Sequence, residues 1–351
     1  MAESGLKTMS LKTVRRVLRT ERDHQRDVYQ NMTHVTLGIE DGLAPLHERF
    51  NIDLHADGCR GPLSFSETAV QQLCRIAGIP HAAIERMPAA LGMSVLRCML
   101  EIAGPTIDKL FLFRLKENSA IRRVRAILPA SYIRCDDSEV LETIIGSIGT
   151  AGNRVSNVTV KDNLFAIRVL LPDHVDFGTA QSPDKGRLGV DVRSSETGSF
   201  PTEIRHLVHR LICSNGMTTL SQDGRKEVRR TGRLDPDGFR RQLGTALSRT
   251  LPHGRQVARV MMESHHDYLD DPVGEIAYVF NRHRLGRPQG KLGRWVTTEL
   301  IREQNLMGVR RFDVVNAFTA VARNLEHHER VKVEDAVTSY LLEMVGQPSI
   351  N

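Results

Sequence analysis

The spacing of apolar residues changes once along this chain, and that change limits the folds open to it. Between Asp108 and Arg193 apolar residues gather in short β-rich runs, of which Gly189–Arg193 alternates apolar and polar; beyond Pro236 they recur at every third and fourth position. The first pattern is that of strands, the second that of helices. Lys109–Leu115 and Ile121–Leu128 read as a hairpin around Lys116–Ala120, and Arg154–Val160 and Leu164–Leu171 as another around Lys161–Asn163. Between the hairpins Asp136–Gly146 reads as a helix with Val140, Ile144 and Ile145 inward, and Leu188–Arg193 adds a further strand. The helical part runs as Pro236–Leu251, Arg255–Leu269, Val273–His283, Leu292–Asn305, Asp313–Leu325 and Val333–Val345. These patterns predict an α+β fold: an antiparallel sheet of about five strands with a crossing helix, flanked by an N-terminal helical segment and a C-terminal helical region.

The same reading divides the chain. Residues 1–45 form a polar, basic N-terminal arm, where Arg15, Arg16, Arg19, Arg22 and Arg26 recur at near-helical spacing beside Val14, Val17 and Leu18. Such a row suits contact with nucleic acid, a helix packed on a neighbouring subunit, or a solvated terminus. Residues 46–220 form the α+β core, 221–235 a basic connector, and 236–351 the helical region. Within the core, Ser64-Phe65-Ser66-Glu67 predicts a capping box that opens a helix with Val70, Leu73 and Cys74 inward, closed by Gly78-Ile79-Pro80. Helical pieces follow near His81–Met87 and Ala89–Ile102, and Cys74 and Cys98 read as core residues.

The junction between strand-rich and helix-rich parts is Ser194-Ser195-Glu196-Thr197-Gly198. After it Ile204, Leu207, Val208, Leu211 and Ile212 fall on one helical stripe, ending at Asn215-Gly216. A strand stays open for 202–213, because Leu207, Leu211 and Cys213 also share a face at period two. Turn chemistry explains most of these residue types, so the stretch reads as architectural, with Gly198 and Gly216 at positions of positive φ or close approach and Glu196 pairing with Arg210.

Ser194–Gly198 and Arg210-Leu211-Ile212-Cys213-Ser214-Asn215-Gly216 resemble the two signature stretches of the phage/plasmid-like proteins catalogued as domain of unknown function 932. Ala77-Gly78-Ile79-Pro80 with Ile84–Pro88, and Arg125–Tyr132, are similar to two more of that family's stretches. The likeness runs in the right order over roughly residues 50 to 280. It implies a protein of a phage or plasmid and carries no settled chemistry.

A formal net charge of +6 favours an anionic partner, nucleic acid first among them. Arg225, Lys226, Arg229, Arg230 and Arg233 form the densest basic cluster, with Arg240 and Arg241 following. Arg123 and Arg125 share a strand face, and Arg114 joins them from the partner strand, so the three are read with the connector as nucleic-acid-binding residues. Aromatic residues are only 5% of the chain, which weakens any stacking platform near Phe111, Phe113 and Tyr132. Arg282–Arg294 makes a second basic loop; its Gly286–Lys291 run is one residue short of a phosphate loop, with Leu292 where a hydroxyl belongs. Gly146, Gly149 and Gly152 read as a helix end. Glu263, His266, Asp267 and Asp270 would share one helical face and suit a metal-dependent nuclease, although such faces are more often solvated. His206, His209 and Cys213 could converge, and a partly buried histidine pair is the simpler account.

The reading that results is a protein binding single-stranded DNA in recombination or replication of a mobile element, without covalent chemistry and without a cofactor. A curved antiparallel sheet crossed by a helix is similar to the phage single-strand annealing proteins, by analogy of fold alone. The alternatives are the metal-dependent nuclease and a non-catalytic interaction protein. Five cysteines without CxxC spacing point to a reducing cytoplasm, no segment has the apolar length of a membrane span, and homo-oligomerisation is open.

Overall fold

Every run read as a strand between 108 and 193 is a strand, but the runs divide between two sheets. The computed structural model describes residues 6–7, 10–40, 42, 44–55, 59, 61–104, 108–118, 121–149, 151–176, 185–210, 218–219, 225–230, 234–303 and 308–344. Its first sheet has seven strands: β1 (Leu6–Lys7), β8 (Arg154–Lys161), β9 (Leu164–Asp176), β10 (Lys185–Ser194), β11 (Thr202–Arg210) and β12 (Thr218–Thr219) in that order, with β13 (Lys226–Val228) also on β11. All its pairings are antiparallel. The second sheet has six, in the order β2 (Gln25–Asn31), β6 (Leu110–Glu117), β7 (Arg122–Pro129), β5 (Leu63–Phe65), β4 (Phe50–Leu54), β3 (Val35–Ile39), with one parallel pair, β5 on β7. The single five-stranded sheet is thereby corrected to a mixed α+β fold with two large sheets and helical regions at both ends.

The second sheet is curled. Its edge strands β2 and β3 are joined only by the 3-10 turn Met32–His34. Five interstrand spacings of about 4.8 Å would put flat edges about 24 Å apart, whereas the link from Asn31 to Val35 reaches at most about 14 Å. The sheet wraps around α3 (Glu67–Ile76), α4 (His81–Glu85) and α5 (Ala89–Ala103), which bring Leu73, Ile84 and Leu96 against Phe50, Ile52, Phe65 and Phe113. Ser66, not Ser64, caps α3, its Oγ accepting from Ala69 N–H at 3.1 Å. Cys74 is buried there, while Cys98 lies exposed on α5, contrary to the core reading.

One face of the first sheet packs on α1 (Leu11–Asp23), α6 (Asp137–Ile148) and the first half of α7 (Pro236–Ser264), through Val14, Leu18, Ile144, Phe239, Leu243 and Leu247. Within the first 45 residues, β1 joins the first sheet, β2 and β3 the second, and α1 packs on the first. Helix α7 runs unbroken through Pro252 where two helices were expected. Its second half joins α8 (Pro272–Arg282), α9 (Lys291–Glu303), α10 (Arg311–Ala322) and α11 (His327–Met344) in a helical layer with its own core.

Residues 202–210 form strand β11, and the helix expected there is corrected. Ile204 packs on Val190 and Val192, while Glu203, Arg205 and Leu207 occupy the opposite face. Both faces are buried, so apolar residues appear at three- and four-residue spacings in a strand. The other face is held to α11 by ions: Arg168 bonds Asp191 (3.1 Å) and Glu334 (2.9 Å), and Arg205 bonds Asp335 (3.0 Å). His206 and His209 lie on alternate faces of β11 and do not converge. Cys213, Asn215 and Gly216, with the rest of 211–217, lie outside the described residues.

Candidate functional site

Ser194, Ser195, Glu196 and Thr197 are all buried, in the turn between β10 and β11 where the two sheets meet. Gly198 completes the turn at φ +74°, and a β-carbon there would fall 2.7 Å from Leu128 Cδ2, so the expectation of positive φ and close approach holds. Glu196 is the centre of a charge cluster. Its Oε1 lies 2.5 Å from Arg125 Nη2 and accepts from Gln25 Nε2 at 2.9 Å, and its Oε2 accepts from Asp137 N–H at 3.2 Å. Arg114 donates to the Glu196 carbonyl at 2.9 Å and to Asp27 at 3.0 Å, and also bonds Asp136. Arg230 donates to the Ser195 and Cys135 carbonyls and to Ser194 Oγ, at 2.5, 3.1 and 2.8 Å. Arg210, the partner expected for Glu196, lies opposite Gly186 at the far end of the β10–β11 hairpin, and among the described residues Glu196 pairs with Arg125 and Arg114.

A β-bulge sets this up. Arg114 pairs with Ala126 and Leu115 with Val124, so Arg125 has no opposite residue and turns to the same side of the sheet as Arg114. Although burial opposes ionisation of Glu196, Arg125 and Arg114 hold its carboxyl down at about 2. Asp137 beside it has the opposite fate: burial and the Glu196 charge push its carboxyl well above the usual carboxylate range.

Three residues read as phosphate ligands therefore serve the interior. Arg114, Arg125 and Arg230 expose 2–3% of their surface and bond carboxylates, carbonyls and, for Arg230, the Ser194 hydroxyl, and their burial takes them out of reach of a nucleic-acid backbone. Arg123 is half-buried and bonded to Asp162, and Arg225 pairs with Glu227 and Glu203. Lys226 is half-buried on β13 and Arg229 is exposed beside it, neither with a carboxylate partner among the described residues. Arg233 lies outside the described residues. Burial separates these residues rather than assembling them into one groove.

Helix α1 does better. Ser10 caps it, accepting from Thr13 N–H at 3.2 Å, and Val14 and Leu18 face the core, which turns Lys12, Arg15, Arg16, Arg19 and Arg22 outward. Arg15 is tied to Glu142 of α6 by two bonds of 2.7 Å. Lys12, Arg16 and Arg19 have no carboxylate partner among the described residues. Between α1 and α6 runs a hollow of about 760 Å³ bordered by Arg15, Arg19, Arg22 and Arg240, with Glu139 and Glu142 on its α6 wall. A second hollow of about 420 Å³ lies along Lys12, Arg15, Arg16 and Arg19.

The proposed metal face is not assembled. Helix α7 ends at Ser264, so His266, Asp267 and Asp270 are off it, and Asp267 bonds Arg311 at 2.5 Å. Among the described residues no group of three or more His, Cys, Asp or Glu side chains could hold a metal ion, and no helix is long and apolar enough to cross a membrane. Cys74 and Cys135 are buried thiols pushed up to about 11 and about 12 by desolvation, the reverse of an activated nucleophile. Compared with known protein families, curated proteins and solved structures, the chain matches none.

Proposed function

We propose that this chain binds nucleic acid, single-stranded DNA foremost, as a protein of a phage or plasmid acting in recombination or replication without covalent chemistry. The observation that carries the reading is the row of Lys12, Arg16 and Arg19 along α1, cations without carboxylate partners beside an arginine-bordered hollow. Charges left unpaired on one rigid helix exchange counterions for phosphates at little cost in ordering. The hollow between α1 and α6 suits a single backbone followed along its length. The likeness of residues 194–198 and 77–80 to the phage/plasmid-like proteins supplies the biological setting.

Binding of labelled single- and double-stranded DNA to the full chain across a salt series tests it. Replacing Lys12, Arg16 and Arg19 together by alanine is expected to weaken binding and to reduce the salt slope by roughly 0.7 per lost contact on a single strand. All three are solvent-facing, so the melting temperature should hold. Affinity and slope equal to wild type would remove α1 from the interface.

A further inference from the structure

The only tryptophan in the chain is not used by the core. Trp295 on α9 is 42% exposed and lines a hollow of about 600 Å³ at the foot of α9 and α11. Lys291 Nζ lies over the ring, 4.6 Å from its centroid. Leu285, Leu292 and Leu325 supply apolar wall, and Arg284, Lys291 and Lys332 supply cations. Arg284 holds a left-handed backbone, φ 53°, the one non-glycine residue to do so among the described residues. Glu326 and Glu329 also line it.

We propose that this hollow is a base-stacking subsite for single-stranded nucleic acid. The inference rests on the nucleic-acid reading above and adds a second, chemically different contact to it. An exposed indole with apolar wall on one side offers a flat surface to a base, which stacks irrespective of its sequence. Arg284, Lys291 and Lys332 then meet the adjoining phosphate. The two glutamates would repel a bare phosphate, but they are acceptors suited to the exocyclic amino group of cytosine or a purine. Stacking ring, phosphate cations and amine acceptors together match a nucleotide within a strand better than an inorganic anion or an apolar peptide. The α1 row, by contrast, offers only charge.

Because Trp295 stands alone, its emission reports on this site and no other. The full chain is titrated with a short single-stranded dC oligomer while binding is followed independently by anisotropy of a labelled copy. Trp295 emission is expected to be quenched along the same isotherm. An abasic oligomer of equal length should bind through charge and leave the emission unchanged. Trp295→Ala should lower affinity for the dC oligomer roughly 5- to 100-fold, with Trp295→Phe losing much less. Arg284→Gly, a change its backbone accepts, should also weaken binding and serves if the alanine variant is poorly folded. Anisotropy that reports binding while Trp295 stays silent, or quenching by free dCMP without oligomer binding, would overturn the subsite. Absence of any oligomer binding would overturn the nucleic-acid reading and the subsite with it.

Discussion

At the scale of single residues, the most consequential group is Glu196. It neutralises Arg125 and Arg114 at the seam, and removing its charge leaves two buried guanidiniums short of a partner. Glu196→Gln is expected to cost about 3–5 kcal/mol in urea unfolding. The pH dependence has a definite sign. The folded carboxyl is held at about 2 against its ordinary 4.5, so its contribution is complete above about pH 4.5 and drains away as pH falls toward 2. Wild type should lose stability across that window more steeply than Glu196→Gln. Asp137 runs the other way, since its raised folded value favours the protonated form; Asp137→Asn should change neutral-pH stability far less than Glu196→Gln does. The arginines also mark where sequence reading fell short. Arg123 and Arg125 were correctly put on one face with Arg114, but alternation along a strand cannot tell a solvated face from one buried against a second sheet. The warning was in the acids: Asp27, Asp136 and Glu196 lie far apart in sequence, and only the fold brings them to the same arginines.

At the scale of elements, local pattern was a sound guide to strands β6 to β10 and to α6, because each is a contiguous run closed by turn residues, even where both faces of the strand are buried, as in β6 and β7. It failed at β11, whose apolar residues also fit a helical stripe, and where the partner is distant, as in the pairing of β2 with β6. Nothing local to residues 25–31 announces a strand whose neighbour begins at Leu110. The basic row of α1 was legible from spacing alone, while its standing as a packed helix was not, since Val14 and Leu18 are only two apolar anchors. Helix α11 allows a direct test. Glu334 links Arg168 of β9 to Arg330 of its own helix, at 2.9 and 2.8 Å. Glu334→Ala leaves buried Arg168 with Asp191 alone, and about 3–5 kcal/mol of destabilisation is expected. Amide exchange should accelerate in α11 and over β9–β11 while β6 and β7 keep their protection.

At the scale of the molecule, the first sheet depends on the C-terminal half of the chain for its cover. Phe239, Leu243 and Leu247 are fully buried against it, and losing them forfeits about 5–9 kcal/mol of apolar burial. That is comparable to the whole stability of an ordinary domain. A chain ending at residue 230 is therefore expected to sediment as aggregate, although it contains every described strand; a monodisperse monomer with native circular dichroism would contradict this.

The pairing of β2 with the distant β6 also sets a clock on synthesis. Among the described strands β2 pairs with β6 alone, which begins about 80 residues later, so at about 5–20 residues per second β2 waits roughly 4 to 16 seconds for its partner. Throughout that interval Val28 and Met32, buried in the finished protein, are exposed on the nascent chain and open to a holding chaperone.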